Sequence, residues 1–281
     1  KTRLRDKMNS KNIDYLNMYE NVKDELKFLT SSKIRIKLLE CLSEIPVPMK
    51  ILCENTNLNY SAISNNIHRL KDNGYVDSDD GKFCLNNIAI MKLLNFYDFS
   101  ETVRIIRSYI DLWIDHDISC ILLDGLIDLN SLKTGYLIES IPTDIYRPHN
   151  IFKNILKDSN NIKSIFPFVH PEYPIIFQDL IKNGVNIEVL CGKAITLNFI
   201  ESMDLKTLKN GSKNQNFKIK SSKSDIKIFL TVADEFMAFG LFKEDGTYDQ
   251  NRLLISDDLD AVKWANGLFD YYNSIGNSLY I

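Results

Sequence analysis

Hydrophobic residues in the first third of the chain recur at the spacing of α-helices, and polar turns separate the stretches. The stretches with this spacing are residues 13–29, 33–43, 49–55 and 61–73. Gly74 follows the last of them, and glycine is the residue that most readily ends a helix. Two short apolar segments then flank the pair Asp80-Gly81, a strong signal for a β-hairpin. Three helices and a hairpin within residues 32–85 predict a winged helix-turn-helix.

From residue 134 onward the pattern changes to alternating strands and helices. Predicted strands cover residues 135–141, 162–169, 185–191, 217–220, 226–232 and 236–242, and predicted helices cover residues 149–156, 172–182, 195–209 and 257–275. Alternating β and α units predict a parallel sheet, and the last two strands form an antiparallel hairpin around Asp234. We therefore expect an α/β domain with a mixed, mainly parallel sheet.

Residues 86–115 connect the two patterns as an apolar-striped stretch without proline or glycine, which predicts two helices. The chain then divides into three parts. They are a winged helix-turn-helix DNA-binding domain (residues 12–97), a helical linker or dimerisation segment (residues 98–133) and an α/β sensor-like regulatory domain (residues 134–281). The predicted fold class is a two-domain chain that combines α+β and α/β architecture.

Composition excludes several classes of protein. The chain has 281 residues, of which 44% are hydrophobic and 25% charged, as in ordinary globular proteins. It contains no apolar run long enough to cross a membrane, and the polar residues 1–20 do not look like a secretion signal. The five cysteines form no C-x-x-C pair, so neither a zinc ribbon nor a disulfide framework is expected. We expect a cytoplasmic protein without membrane contact.

Charge is divided unevenly along the chain. The net charge of the whole chain is −3, but residues 1–97 carry +3 and residues 98–281 carry −6. A basic first part and an acidic second part suggest two modules with different partners. The basic part contains the predicted winged helix-turn-helix.

The helix predicted over residues 61–73 has two different faces. Ile63, Ile67 and Leu70 lie on one side and are expected to be buried. The opposite side carries short or planar polar side chains, namely Ser61, Ser64, Asn65, His68 and Arg69. Such side chains hydrogen-bond base edges and phosphates in the major groove of DNA. Lys71 and Lys82 add two further candidates for phosphate contacts.

The alternative interpretation is a solvated helix face that binds nothing. Exposed helices usually mix in acidic residues, whereas this face has only Asp72 at its end. That composition and the surrounding order of elements favour DNA binding. The hairpin tip is acidic through Asp77, Asp79 and Asp80 and would repel phosphate, so we expect the hairpin to hold DNA weakly.

Three strand-to-helix junctions in the second part carry polar side chains. Ligands bind at the strand ends of parallel β/α sheets, so neighbouring strands would gather these side chains at one rim. The candidate ligand-binding residues are Thr143, Asp144, Arg147, His149, His170, Glu172, Tyr173 and Lys193. The alternative is structural, with turn capping by Thr143 or Asp144 and a buried His170. A metal site formed by His149, His170 and Glu172 is a further alternative, but these residues lack a diagnostic metal-binding spacing, so we expect no metal and no cofactor.

Four stretches of the sequence resemble known regulators. Residues 60–76 (YSAISNNIHRLKDNGYV) look like the recognition helix of ArsR-like winged-helix repressors. Residues 137–149 (LIESIPTDIYRPH), 170–174 (HPEYP) and 248–256 (YDQNRLLIS) resemble signature blocks of the Fil-type methanogenesis regulatory protein family. The resemblance extends over roughly residues 25–275. It implies an archaeal transcriptional regulator with an N-terminal winged helix and a C-terminal α/β sensor-like domain.

Several catalytic motifs are absent from the sequence. The chain has no H-x-K-x4-D motif, no Walker loop, no Rossmann fingerprint and no G-x-S-x-G, so we expect it not to be an enzyme. We expect a homodimeric, sequence-specific regulator that binds double-stranded promoter DNA. The C-terminal domain would modulate DNA affinity through a small-molecule effector, a partner or dimerisation. The alternative is a winged-helix adaptor for proteins that lacks specific DNA binding.

Overall fold

The computed structural model describes residues 14–222 and 225–279, which fall into two compact units. The boundary between the units lies between Tyr97 and Asp98. Residues 12 and 13 of the predicted DNA-binding domain, and residues 223, 224, 280 and 281 of the predicted α/β domain, lie outside the described residues. No helix in the described ranges combines the length and the apolar character needed to cross a membrane.

The first unit consists of helices followed by a hairpin. Its helices are α1 (Tyr15–Thr30), α2 (Lys33–Cys41), α3 (Met49–Thr56), α4 (Tyr60–Asp72) and the start of α5 (Asn87–Ser108). Its strands are β1 (Val47–Pro48), β2 (Val76–Asp79) and β3 (Lys82–Leu85), which form a sheet in the order β1-β3-β2. This order of elements agrees with the expected winged helix-turn-helix, and we call the β2-β3 hairpin the wing.

Local sequence signals explain where these elements begin and end. The side chain of Ser32 caps α2 by accepting a hydrogen bond from the Arg35 N–H. Asp80 and Gly81 have φ values of 45° and 71°, the conformation of a two-residue turn in a hairpin. Apolar residues of α2, α3 and α4 form the core of the unit. These residues include Leu38, Leu39, Leu52, Ile63, Ile67 and Leu70.

The second unit is built on one large sheet. Its helices are the rest of α5, α6 (Ile110–Ile114), α7 (Leu123–Ile127), α8 (Arg147–Lys157), α9 (Tyr173–Lys182), α10 (Lys193–Glu201), α11 (Leu205–Lys213) and α12 (Leu259–Ser274). Its strands are β4 (Tyr136–Glu139), β5 (Asn161–Phe166), β6 (Asn186–Gly192), β7 (Phe217–Ser222), β8 (Ile228–Ala233), β9 (Phe236–Leu241), β10 (Arg252–Ser256) and β11 (Asn277–Ser278).

The sheet is mixed, as predicted. Within the described residues the strand order is β11-β7-β6-β5-β8-β9-β10-β4. Five of these eight strands run in one direction, but only β5-β6 and β6-β7 are neighbouring parallel pairs. Antiparallel pairing takes a larger share than the β/α alternation indicates, because β8, β9 and β10 follow one another as a meander without crossover helices.

Both faces of the sheet are covered. Successive residues of a strand point to opposite faces, so Ile165 belongs to one hydrophobic cluster and Phe166 to the other. Helices α8 to α11 cover the Phe166 side, and α12 covers the Ile165 side. Segment 98–133 was predicted as a linker, yet its apolar residues pack into the cluster on the Ile165 side. Those residues include Ile105, Tyr109, Leu112, Ile121, Leu129 and Leu132.

Helices α10 and α11 and strand β10 are among the details that differ from the sequence prediction. The helix predicted over residues 195–209 is two helices, because the carboxylate of Asp204 accepts a hydrogen bond from the Thr207 N–H and starts α11 anew. Residues 252–256 were not predicted as a strand, but they form β10 between β9 and the edge strand β4.

Candidate functional site

Helix α4 is held in place by signals at both of its ends. Asn57 adopts a left-handed conformation after α3, and Asn59 then caps α4 by accepting a hydrogen bond of 2.8 Å from the Ala62 N–H. At the other end, Gly74 has a φ of 70°, and the Tyr75 N–H donates back to the Leu70 carbonyl. These ends fix which residues of the helix face the core.

The predicted DNA-binding residues lie mainly on the exposed side of α4. Ile63, Ile67 and Leu70 are fully buried on the other side. Of the five residues predicted on this face, Ser61, Asn65, His68 and Arg69 are exposed, while Ser64 is half-buried. His68 lies 3.7 Å from the carboxylate of Asp72, the acidic residue that ends the helix. The face therefore offers donors and acceptors along most of its length.

The two predicted phosphate contacts differ in their surroundings. Lys71 donates a hydrogen bond of 2.7 Å to Ser78, so it ties α4 to the wing. Lys82 is exposed at the start of β3 and pairs in register with Asp79. The neighbouring acidic residues of the tip are also exposed. Acidic side chains therefore outnumber basic ones at the tip of the wing.

In the second unit, four of the predicted residues form one cluster at the N-terminal ends of α8 and α9. His149 Nε2 and Lys153 Nζ lie 3.0 and 2.9 Å from the same oxygen of Glu172. The rings of His149 and His170 stack with centroids 3.8 Å apart. Tyr173 lies against both rings, with centroid distances of 5.6 and 5.3 Å.

These contacts shift the protonation equilibria of the cluster. Hydrogen bonds from His149 and Lys153 lower the pKa of the Glu172 carboxyl to about 2, so this group is a carboxylate at neutral pH. Burial, followed by the neighbouring His149, lowers the pKa of His170. Burial also raises the pKa of the Tyr173 phenol. The cluster thus holds one negative carboxylate next to a neutral imidazole and a neutral phenol.

A cavity of about 300 Å³ opens beside this cluster. Both histidines and Tyr173 line it, together with aromatic, apolar and amide side chains. These include Phe152, Phe168, Phe229, Tyr248, Gln250, Asn251 and Arg252. Arg252 is paired with Glu139, Asp115 and Asp249 at 3.0, 3.4 and 3.8 Å, so its charge is compensated. The cavity is therefore aromatic and close to neutral, which suits a small planar molecule.

The structure does not bring the other four predicted ligand residues into this cluster. Thr143 and Asp144 lie in a turn in which the Asp144 N–H donates to the Ile141 carbonyl. Arg147 and Lys193 are the first residues of α8 and α10. The single rim was expected on the assumption that the preceding strands are neighbours, but three strands separate β4 from β5. His149 lies next to His170 because α8 starts near the N-terminal end of α9.

Sequence reasoning missed the aromatic part of the cavity. Phe152, Phe168 and Phe229 look like ordinary core residues in the sequence. Tyr248 and Arg252 fall within the block at residues 248–256 that resembles Fil-type regulators, and that block was the available signal. Lys153 is one helical turn after His149 in the helix predicted over residues 149–156, and that helix was the available signal for it.

His149, His170 and Glu172 are also the residues that could hold a metal ion. One ligand atom from each lies within 4.8 Å of the others. Along the chain the three are dispersed over two segments, and for this reason their spacing gave no metal signature.

Fold and site together define a two-unit protein, with a unit of helices and a three-stranded sheet followed by an α/β unit that holds an aromatic cavity. Residues 145–274 match the family model described as methanogenesis regulatory protein FilR1, middle domain. This match contains the histidine cluster and the residues that line the cavity. It supports the expected relation to Fil-type regulators for the α/β unit.

A similar protein is the methanogenesis regulatory protein FilR1 of Methanothrix harundinacea (strain 6Ac). It is 22% identical over 250 residues, which cover 88% of this chain and 56% of the relative. The chain thus spans about half the length of the curated relative that it matches. This similarity also supports a Fil-type regulator family.

Solved structures show weaker likeness. TrmBL2, described as an archaeal chromatin protein, is 11% identical with a TM-score of 0.42, over 92% of this chain and all of its own. An IcIR transcriptional regulator from Alicyclobacillus acidocaldarius is 8% identical with a TM-score of 0.25, over 86% of this chain and 96% of its own. At these TM-scores neither likeness carries an argument about this chain.

Proposed function

We propose that the chain is a sequence-specific, DNA-binding transcriptional regulator. The observation that carries the proposal is the polar face of α4, on which Ser61, Asn65, His68 and Arg69 are exposed and Asp72 is the single acidic residue of the helix. A helix in this position of a winged helix-turn-helix is the one that enters the major groove. The relative's name as a regulatory protein supports the same role.

Side-chain chemistry suggests how the helix would divide its contacts. Arginine pairs best with the acceptor edge of guanine, and asparagine pairs with adenine, so Arg69 and Asn65 suit base readout. Ser61 and Ser64 lie in the first turns of α4, where the helix dipole favours phosphate. We assign a phosphate contact to Lys82. Lys71 is expected to make a weaker phosphate contact, because its ammonium already donates a hydrogen bond to Ser78.

The proposed assembly is a homodimer whose two recognition helices lie about one turn of DNA apart. The α/β unit would change DNA affinity through a ligand, a partner or dimerisation. Each would shift the fraction of dimers whose two recognition helices have the spacing that DNA requires. Its aromatic cavity of about 300 Å³ supports a small-molecule effector, since ligand sites begin at about this volume. The proposal assigns the chain no catalytic activity and no cofactor.

A protein-interaction adaptor is the second candidate. The observation in its favour is the exposed acidic wing tip, with Asp77, Asp79 and Asp80, which repels phosphate. An adaptor would bind DNA weakly and without sequence preference, and the salt dependence on promoter DNA would equal that on random DNA.

Substitutions on α4 test the proposal. His68→Ala and Arg69→Ala are each expected to weaken binding to promoter DNA by about 1–3 kcal/mol, since each removes one base or phosphate contact. Fluorescence anisotropy of the full chain on a labelled promoter duplex measures this loss.

Lys209→Ala provides the matched control, because Lys209 is an exposed cation of α11 in the other unit. This variant should bind as the unchanged chain does. Far-UV circular dichroism should show the same helix content in all three variants. If His68→Ala and Arg69→Ala both bind the promoter at full strength, α4 is not the recognition helix.

A further inference from the structure

The three ligand atoms of His149, His170 and Glu172 form a group that the DNA-binding proposal does not use. His149 lies in the first turn of α8, and His170 and Glu172 precede α9. Their atoms lie within 4.8 Å of one another. In the ranges that the structure describes, no other group of three or more histidine, cysteine, aspartate or glutamate side chains converges in this way.

We propose that His149, His170 and Glu172 form a binding site for a divalent transition-metal ion of the Zn²⁺ type. Zinc holds nitrogen and oxygen ligands at about 2.0–2.2 Å, so two ligands of a tetrahedral ion lie about 3.3–3.5 Å apart. His149 Nε2 and Glu172 Oε2 are 3.0 Å apart. An ion can therefore replace the contact between these two atoms after a displacement of a few tenths of an ångström, and the nitrogen of His170 must approach from within 4.8 Å.

The chemistry of the three ligands selects the kind of ion. Two imidazoles and one carboxylate form a set that Zn²⁺ and its neighbours in the first transition row accept. Ca²⁺ and Mg²⁺ require oxygen ligands throughout and would find only the oxygens of Glu172. Three protein ligands also leave a tetrahedral position open for water or a small molecule.

The ligands are ordered before an ion arrives. The stacked rings of His149 and His170 are braced by Tyr173, which is buried. The side chain of His149 is only 14% exposed. The packing of His149 reduces the entropic cost of binding, while His170 must rotate out of the stack to direct a nitrogen at the same ion. Both histidines line the aromatic cavity, so an ion held by them would border it.

Two contacts in the cluster compete with metal binding, and their effect can be measured. Lys153 Nζ lies 2.9 Å from the Glu172 oxygen that faces His149, so its ammonium competes directly with a cation. His170 Nδ1 accepts a hydrogen bond of 3.2 Å from the Glu172 backbone N–H, and this bond is lost if the ion uses Nδ1. Removal of the Lys153 charge should therefore strengthen binding, which a purely structural cluster would not predict.

The test is isothermal titration calorimetry of the full chain with ZnCl₂ after treatment with a chelator. One ion per chain is expected. His149→Ala and Glu172→Gln should each weaken binding by at least about 10-fold, because even the loss of a supporting residue costs 10–100-fold. Lys153→Gln should tighten binding. His68→Ala should leave it unchanged, since His68 pairs with Asp72 but has no third ligand near it.

Two outcomes would overturn the proposal. The first is the absence of stoichiometric Zn²⁺ binding, and the second is equal binding by the unchanged chain, Glu172→Gln and His149→Ala, as cysteine ligands would give. Glu172 is exposed, so Glu172→Gln is expected to stay folded even if His149→Ala does not. The site does not depend on DNA binding, so failure of one proposal leaves the other to its own test.

Discussion

At the scale of single residues, Gly211 shows how closely α11 packs in the α/β unit. A methyl group added there would lie 2.8 Å from Ile181 Cγ2 and 2.9 Å from Phe217 Cβ. Carbon atoms prefer separations of about 3.5–4.0 Å, so both neighbours would have to move. Gly267 of α12 is the opposite case, because a methyl group there would meet nothing within 4 Å.

These two glycines give a matched prediction. Gly211→Ala is expected to lower the free energy of unfolding by about 1–3 kcal/mol, the usual cost of overpacking. Gly267→Ala should raise it by up to about 1 kcal/mol, because alanine favours the helix. Urea denaturation followed by circular dichroism measures both. Equal stability of the two variants would contradict the described packing of α11.

The candidate site could be predicted residue by residue only where chemistry is visible in the sequence. His149, His170, Glu172 and Tyr173 stand out because polar side chains at strand-to-helix junctions are seldom core residues and are often ligand-binding residues. Phe168 does not stand out, because an apolar residue within the strand predicted over residues 162–169 is expected to be buried. Nothing in the sequence indicates that it lines a cavity. Convergence of α8 on α9 is a tertiary property that no local pattern contains.

At the scale of elements, α4 depends on the side chain that starts it. Asn59 accepts a hydrogen bond from the Ala62 N–H and satisfies one of the free donors at the helix start. Asn65 lies one and a half turns further along, is exposed, and belongs to the proposed DNA-binding face. Asn59 and Asn65 therefore have separable roles.

Asn59→Ala is expected to destabilise the first unit by about 1 kcal/mol through loss of the cap. Asn65→Ala should leave stability unchanged or slightly higher while it weakens DNA binding. Thermal unfolding and fluorescence anisotropy on the same samples separate the effects. Loss of stability in Asn65→Ala, without loss in Asn59→Ala, would contradict the assigned cap.

The elements that end at glycine or at an Asp-Gly turn were predictable from the sequence. Gly74 and Asp80-Gly81 mark the end of α4 and the hairpin, and the structure places both there. The edge position of β4 could not be read from the sequence, because it results from pairing with β10 more than a hundred residues later. A short strand such as β10 also has too few residues to show the alternation of apolar and polar positions that predicts a strand.

At the scale of the whole molecule, two units of opposite net charge carry different candidate sites. The first contains the proposed recognition helix in a unit of net charge +3, and the second has an aromatic cavity in a unit of net charge −6. The charge asymmetry was visible in the sequence. It fits a chain in which one unit meets the phosphate backbone and the other takes a small molecule.

The central claim is specific DNA binding, and fluorescence anisotropy of the full chain tests it most directly. Binding to promoter DNA and to scrambled DNA of equal length would be compared at two salt concentrations. The account predicts binding to the promoter that is about 10³-fold tighter or more, with both affinities falling as salt rises. Equal affinity for the two duplexes at both salt concentrations would contradict it.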